Sequence, residues 1–162
     1  MMLPPADDVD RIMAIMGAAF DPAFGEAWTR RQVEDSLLTG HCHYILITAD
    51  GEISTDKYPA ESSSPPAGFA LSRTGFGEEE LLLFAVSPEF RNKGLGAAML
   101  RELDRSVRER GASRILLEMR DGNPAESVYR TFGFEPIGRR PKYYRTPDGS
   151  QIDAITFACD LQ

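Results

Sequence analysis

Histidine and cysteine are scarce in this sequence, which has two residues of each among its 162. Cys42 and Cys159 are too few for a disulfide scaffold, so we interpret both as reduced thiols packed in the core. The two histidines lie in His-Cys-His-Tyr at 41–44, without the Cys-x-x-Cys or His-Glu-x-x-His partner that a zinc site needs. We therefore interpret 41–44 as polar residues that lead into a strand, and the sequence predicts no metal.

Long apolar runs and an excess of positive charge are also missing. No run approaches the roughly 18 apolar residues that a membrane span needs, and the first ten residues lack the basic-then-apolar order of a secretory signal. The net charge of −7 disfavours general attraction to nucleic acid or to anionic membranes. We expect a cytoplasmic protein, a monomer or weak dimer, that binds neither of these.

The pattern of apolar residues predicts a single domain with one core. The chain length fits one domain, and the 42% hydrophobic and 27% charged shares are ordinary for a globular protein. Periodicity predicts two helices, three strands, a helix, a strand, a short helix and two strands, which together indicate a mixed α/β sheet with helices on both faces. Residues 50–66, rich in Ser, Pro and Glu, are predicted to form a mobile loop between two neighbouring strands.

Three local patterns give the strongest element predictions. Thr29 and Gln32 have the spacing of a capping box, which predicts a helix start. The run 81–86 is apolar at every position, as in a strand that is buried on both faces. A stripe of apolar residues at helical spacing follows, with charged residues opposite, and predicts an amphipathic helix. This stripe consists of Leu95, Met99, Leu103 and Val107.

Between that strand and that helix lies Arg-Asn-Lys-Gly-Leu-Gly, residues 91–96. A helix start leaves backbone N–H groups unpaired and carries partial positive charge, and glycines let the backbone approach an anion. Together these features predict a phosphate seat, with a plain strand–helix turn as the alternative. The motif is neither a Walker loop nor a dinucleotide fingerprint, because Met99 stands where the third glycine would be.

The motif Arg-x-x-Gly-x-Gly, between a strand ending Val-Ser-Pro and an amphipathic helix, resembles the acetyl-CoA pyrophosphate loop of the GNAT superfamily of N-acetyltransferases. Similar segments follow in order, namely Leu-Leu-Glu-Met-Arg at 116–120, Asn-Pro-Ala at 123–125 and Phe-Gly-Phe-Glu-Pro-Ile-Gly-Arg-Arg at 132–140. The resemblance covers about 78–160 and is greatest for the ribosomal-protein-alanine N-acetyltransferase (RimI) type. It implies a mostly antiparallel central sheet and an acyltransferase that uses acetyl-CoA as donor, without a metal.

The resemblance also implies which residues contact acetyl-CoA. The pantetheine arm would pair with the strand before the motif, where a bulge would let the Val86 N–H face the thioester oxygen. The pyrophosphate would lie on the amides of the turn. The implied cofactor-binding residues are Phe84, Ala85, Val86, Arg91, Asn92, Lys93, Gly94, Leu95, Gly96, Ala97 and Asn123.

Glu118 and Tyr129 take the positions of the family's catalytic base and acid. Strand alternation places Glu118 beside Leu116 and Arg120, where partial desolvation would raise its pKa and improve it as a proton acceptor. The alternative for Glu118 is a salt-bridged strand carboxylate. The Tyr129 phenol is protonated at pH 7 and could donate to the departing thiolate, or it could be a packing residue. Asn123 precedes Tyr129 by six residues, where the family pattern has seven, so its contact with the cofactor stays open.

The acceptor amine is implied to enter from the opposite side of the sheet, near residues 20–28 and the last hairpin. The implied substrate-binding residues there are Glu26, Trp28, Tyr143 and Tyr144, with the tyrosines bonding a peptide backbone and Glu26 attracting an α-ammonium group. We predict acetylation of a protein N-terminus, with a ribosomal-protein alanine as the leading substrate. A small-molecule amine acceptor and a non-catalytic acetyl-CoA-binding sensor are the alternatives.

Overall fold

The computed structural model describes residues 6–59 and 63–161. The helices are α1 (Ala6–Ala19), α2 (Arg30–Leu38), α3 (Leu95–Glu109) and α4 (Glu126–Phe132). The strands are β1 (Cys42–Thr48), β2 (Ile53–Thr55), β3 (Pro66–Gly75), β4 (Glu78–Val86), β5 (Arg114–Arg120), β6 (Glu135–Arg145) and β7 (Gln151–Asp160). Within the described ranges, no helix is long and apolar enough to cross a membrane.

The strands form one seven-stranded sheet in the order β2-β1-β3-β4-β5-β7-β6. Neighbours are antiparallel except β4 and β5, which are parallel. One core cluster, with Ile12, Val33 and Phe69, joins α1 and α2 to one face of the sheet. The other cluster, with Met99 and Phe157, joins α3 and α4 to the opposite face. The predicted mixed, mostly antiparallel sheet with helices on both faces is confirmed.

The local signals place the helices correctly. The Thr29 hydroxyl accepts from the Gln32 N–H at 3.2 Å, and the Gln32 side-chain oxygen accepts from the Thr29 N–H at 2.7 Å, so the capping box starts α2 as predicted. The apolar stripe of α3 is buried along its whole length against the sheet. These elements form where they do because each signal depends only on residues within one or two turns.

Part of the segment 50–66 forms a strand that the sequence does not predict. Residues Ile53–Thr55 form β2, which pairs antiparallel with β1 at the edge of the sheet. Ser54 is buried and Ile53 packs against the core, so the prediction of a loop without a strand is wrong for Ile53–Thr55. The polar composition of this segment gives no strand pattern, and Ile53–Thr55 form a strand because they pair with β1. Residues 60–62 lie outside the described ranges, and β1 and β3 on either side are neighbours as predicted.

The parallel strands β4 and β5 separate after a short paired stretch. Only Glu79–Leu81 of β4 pairs with Ile115–Leu117 of β5, although both strands continue beyond this point. The separation begins at a bulge in β4. Leu71 of β3 pairs with Leu83, and the next residue of β3 pairs with Leu81, so Leu82 has no partner on β3. Bulges bend a strand and increase its twist. The result is a wedge-shaped gap in the middle of the sheet.

Candidate active site

The gap between β4 and β5 opens into a cavity of about 380 Å³. Its walls come from the loop between α1 and α2, from the diverging strands, and from α4 and β6. Polar side chains that line it include Glu26, Glu118, Asn123, Tyr129 and Tyr144. The cavity therefore brings together predicted residues from four separate parts of the chain.

The backbone of β4 is open toward this gap. The Ser87 N–H donates to the Ala67 carbonyl at 2.8 Å, and successive residues of an antiparallel strand turn their backbone groups to opposite sides. The backbone groups of Phe84 and Val86 therefore point away from β3, whereas those of Ala85 point toward it. The predicted bulge in β4 is present, at Leu82. An extended ligand lying in the gap could pair with the backbone groups of Phe84 and with the N–H of Val86.

The turn before α3 presents free backbone amides. Asn92 and Gly94 have left-handed φ values of 63° and 80°, which turn the chain sharply into the helix. No side chain caps the helix start, and its first turn has no acidic residue. The N–H groups of Leu95, Gly96 and Ala97 therefore have no partner within the helix and carry its positive end. This geometry fits the phosphate seat that the sequence predicts.

Residues of the motif also make contacts within the protein. A Cβ at Gly96 would lie 3.3 Å from the Phe84 ring, so glycine lets the helix start approach β4 closely. The Arg91 guanidinium donates to the Val86 carbonyl at 2.9 Å and to the Ala19 carbonyl at 3.2 Å. Arg91 thus ties the end of α1 to β4, a role beyond the anion-attracting one implied by the resemblance. The Lys93 ammonium lies 5.8 Å from the centre of the Phe90 ring.

The Glu118 carboxylate lies at the gap on β5, with 22% of its side chain exposed. Its Oε2 accepts from the Thr156 hydroxyl at 3.2 Å and lies 3.4 Å from Arg140 Nε. Glu118 therefore forms the salt bridge of the alternative interpretation, with Arg140 of β6 as the partner instead of Arg120, and its role as a base stays a prediction. The Arg140 side chain is 61% exposed. Its guanidinium can therefore move away from the carboxylate and stay solvated. Both neighbours are donors that hold an accepting oxygen at the gap.

The Tyr129 side chain is buried in α4, only 6% exposed. Its ring centre lies 5.5 Å from that of Phe84 and 5.7 Å from that of Phe134. Burial, and then the charge of Glu26, raises the pKa of Tyr129 above its ordinary value. The phenol therefore stays protonated at neutral pH, the state that a proton donor must have, while the raised pKa also makes it a weaker acid. The packing and acid interpretations are compatible, because the ring packs while the residue lines the cavity.

Asn123 lies at the cavity wall and begins the turn into α4. Its Oδ1 accepts from the Ala125 N–H at 2.9 Å, as in an Asx turn. Pro124 lies in this turn, before α4 begins at Glu126. Contact of Asn123 with a cofactor stays a prediction.

The predicted acceptor residues divide between the cavity and the surface. Glu26, Trp28 and Tyr144 line the cavity, whereas Tyr143 is 51% exposed and does not. Consecutive strand residues point to opposite faces, so only one of the paired tyrosines can turn inward. Arg120 pairs with Glu26, a residue that lines the cavity, a contact that the sequence pattern did not indicate because it offered Arg120 only as a partner for Glu118.

The Tyr144 phenol provides a stability test of the cavity. Burial, then the charges of Glu118 and Glu26, raises the pKa of Tyr144 from 10.0 to about 12. Between these values the unfolded tyrosine ionises while the folded one stays protonated, so the free energy of unfolding should fall as pH rises through this window. Urea unfolding at intervals from pH 9 to about 12 should show a shallower fall for Tyr144→Phe. An identical fall would mean that Tyr144 is not shielded.

A sheet that splays beside an uncapped helix start, with a carboxylate and a phenol at the gap, defines a class of enzymes that transfer acyl groups from coenzyme A thioesters. Residues 9–134 match the family model for the acetyltransferase (GNAT) family. The chain belongs to this family, and the predicted resemblance is confirmed. This family uses acetyl-CoA.

Several known proteins are similar to this chain, among them two bacterial relatives and one solved structure. It is 33% identical over 94 residues to the ribosomal protein bS18-alanine N-acetyltransferase of Haemophilus influenzae, and 37% identical over 96 residues to the Escherichia coli K12 enzyme of the same name. These alignments cover 58% and 59% of this chain and 64% of each relative, so the matched part spans less than two thirds of their length. The crystal structure of the Escherichia coli ribosomal-protein-S18-alanine N-acetyltransferase superposes with a TM-score of 0.77 at 25% identity, covering 99% of this chain and 92% of that one.

Proposed function

We propose that this protein is an acetyl-CoA-dependent N-acetyltransferase that acetylates the N-terminal α-amine of a protein, with a ribosomal-protein alanine as the leading substrate. The observation that carries the proposal is the gap, which places the Glu118 carboxylate and Tyr129 at one cavity beside the open backbone of β4. Two similar proteins are named for acetylation of an alanine of bS18, which supports this acceptor class.

The donor side of the site would be the end of β4 and the start of α3. Phe84 and Val86 would pair with the pantetheine arm, and the amides of Asn92 to Ala97 would hold the pyrophosphate. Bound acetyl-CoA would supply the acetyl group as a thioester. A backbone N–H of β4 that points into the gap, that of Val86, would polarise the thioester carbonyl.

The chain's own side chains would move two protons. Glu118 would accept a proton from the acceptor ammonium, directly or through a water, so that the neutral nitrogen can attack the carbonyl carbon. As the new C–N bond forms and the C–S bond breaks, Tyr129 would donate its proton to the departing thiolate. The second proton that the attacking nitrogen loses would pass through water to the tyrosinate, which restores the phenol. An α-amine has an ordinary pKa near 8, against about 10.4 for lysine, so the first step costs less for a protein N-terminus.

The acceptor would lie between the loop after α1 and the last hairpin. Glu26 would place negative charge near the incoming ammonium, Trp28 would form part of the wall, and Tyr144 would bond the peptide backbone. Tyr143, on the outer face of the hairpin, would contact residues of the acceptor beyond the first one or two.

Mass spectrometry of the full chain with acetyl-CoA and defined amines tests this function. We expect an alanine-starting peptide to gain one acetyl group at its α-amine, and a peptide with a blocked N-terminus and an internal lysine to gain none. Reaction of free small amines alone would favour a small-molecule acetyltransferase. Saturable coenzyme A binding without turnover of any amine would favour the sensor interpretation.

Charge reversal at Lys93 tests the phosphate seat separately. The variant Lys93→Glu should weaken coenzyme A binding by about 10-fold in titration calorimetry at low salt, because a carboxylate would stand beside the diphosphate. The loss should shrink as salt screens the charge. Lys57→Glu, the same change in the segment around β2, should leave the affinity unchanged. Equal losses in both variants would indicate a net-charge effect and contradict a seat at this turn.

A further inference from the structure

Arg120 lies at the splayed end of β5, two positions beyond Glu118 and on the same face of the strand. Its Nε lies 3.2 Å from Glu26 Oε1, with 12% of the Arg120 side chain and 21% of the Glu26 side chain exposed. The guanidinium carbon lies 3.6 Å from the centre of the Phe24 ring, which is stacking distance. The Arg120 side chain therefore contacts both Phe24 and Glu26, which lie two positions apart in one loop.

That loop, residues 20–29 between α1 and α2, is the acceptor loop of the proposed reaction. It contributes Phe20, Phe24, Gly25, Glu26, Ala27 and Trp28 to the cavity wall. Gly25 lies near the turn between β6 and β7, since a Cβ there would be 3.8 Å from Pro147 Cδ. The acceptor loop thus spans from β5 to the last hairpin, across the side from which an amine must enter.

Because the Arg120–Glu26 pair is largely buried, removal of either partner should affect the position of the loop. Exposed ion pairs contribute little, but removing one partner of a largely desolvated pair leaves a charge that needs water. An unpaired Glu26 would turn outward to solvent and carry the acceptor loop with it. The cavity would then become wider on the acceptor side, while the turn before α3 would be unaffected.

We propose that Arg120 is a positioning residue that determines acceptor specificity: by holding Phe24 and Glu26 against β5, it keeps the acceptor loop closed and limits the acceptor to a small first side chain. This inference rests on the proposed function and deepens it. It assigns Arg120 no contact with the reacting atoms. Its effect on the acceptor is exerted through the loop.

The test is steady-state kinetics of the full chain at saturating acetyl-CoA, with peptides that differ only in an alanine or leucine first residue. For Arg120→Gln we expect the acceptor KM for the alanine peptide to rise about 10-fold, with kcat changed by less than about 2-fold. The ratio of kcat/KM for leucine to that for alanine should rise several-fold. Coenzyme A affinity should equal that of the wild type.

A double-variant comparison separates this role from general destabilisation. If Arg120 acts through Glu26, then Glu26→Gln should raise KM similarly, and the double variant should be no worse than the more affected single one. Arg73→Gln is the matched control, because it removes an arginine from the exposed pair with Glu80 on the same sheet, with 54% and 44% of the side chains exposed. It should behave as wild type.

The outcomes distinguish this inference from the proposed function. Wild-type chain that acetylates no peptide would contradict the proposed function itself. Active wild type with unchanged KM and selectivity in Arg120→Gln would contradict only the role of Arg120. A lower KM would also contradict it, since the main effect of Arg120 would then be to neutralise the charge that Glu26 offers to the ammonium, and not to hold the loop in place. If Arg120→Gln does not fold, Phe24→Leu carries the test, with the same relaxed selectivity expected.

Discussion

Replacing Glu118 by glutamine is expected to lower turnover by about 100-fold or more, because general-base assistance contributes about 10²–10⁴ to such rates. Glutamine keeps the shape of the side chain and can still accept from the Thr156 hydroxyl, which is 3.2 Å from the carboxylate in the native chain. What it loses is the ability to take a proton from the acceptor. Coenzyme A binding should be unchanged, since the proposed donor side lies on β4 and α3.

The pH dependence of the residual activity distinguishes a base from a structural carboxylate. Without Glu118, the neutral amine must form in solution, so the rate of Glu118→Gln should rise with pH through about 8, following the acceptor's own ionisation. The matched control is Glu80→Gln, another strand carboxylate that pairs with an arginine but lies away from the gap. An unchanged profile for Glu118→Gln would remove this residue as the base.

Replacing Tyr129 by phenylalanine should depress kcat by about 100-fold, within the range of general-acid contributions. Without the phenol, the thiolate must leave unprotonated or take a proton from water. The ring contacts with Phe84 and Phe134, at 5.5 and 5.7 Å between centres, can all persist, so stability and coenzyme A affinity should stay close to those of the wild type. Stopped assays that follow free thiol measure kcat, titration calorimetry measures coenzyme A affinity, and urea unfolding measures stability.

Tyr144 is the informative comparison for this prediction. It lines the same cavity, and burial raises its pKa too, so it is the other phenol that could serve as the acid. We expect Tyr144→Phe to raise the acceptor KM and to spare kcat. If the two variants exchange these effects, the acid is Tyr144 and Tyr129 is a packing residue. The exposed Tyr58→Phe serves as control, since Tyr58 lies outside this cavity.

The two predictions concern different protons, so their pH responses should differ. Loss of Glu118 affects the proton that leaves the acceptor amine. A larger neutral fraction of this amine at high pH should partly compensate for the loss. Loss of Tyr129 affects the proton delivered to sulfur, and raising the pH offers no replacement donor. Rescue of Glu118→Gln but not of Tyr129→Phe at alkaline pH would support both assignments together.

Several features were predictable because they depend on residues close in sequence. The capping box of Thr29 and Gln32, the buried stripe of α3 and the glycine turn at 91–96 all formed where their spacing indicated. The bulge in β4 was predicted through the family resemblance rather than from the residues themselves. The edge strand β2 was missed, because three residues in a polar segment carry too little periodicity and need β1 as a template.

Contacts between distant segments could not be predicted from the pattern. Arg120 and Glu26 are 94 positions apart, and Glu118 meets a threonine 38 positions away. Alternation indicated which side chains share a face of β5, but it could not say which other strand or loop lies over that face. The paired tyrosines show the same limit, since the register of β6, with its irregularity between Arg140 and Tyr144, decides which of them turns inward.

The sequence by itself determined the helix with its uncapped start, the buried strand before it and the carboxylate and phenol that follow, because these depend on short-range spacing and residue chemistry. Only the tertiary structure decided that β4 and β5 separate, that Arg140 and Thr156 are the neighbours of Glu118, and that Arg120 contacts Glu26 and Phe24 in the loop after α1. Those features arise from packing between segments far apart in the chain, where many pairings satisfy the same local pattern and the completed sheet selects one.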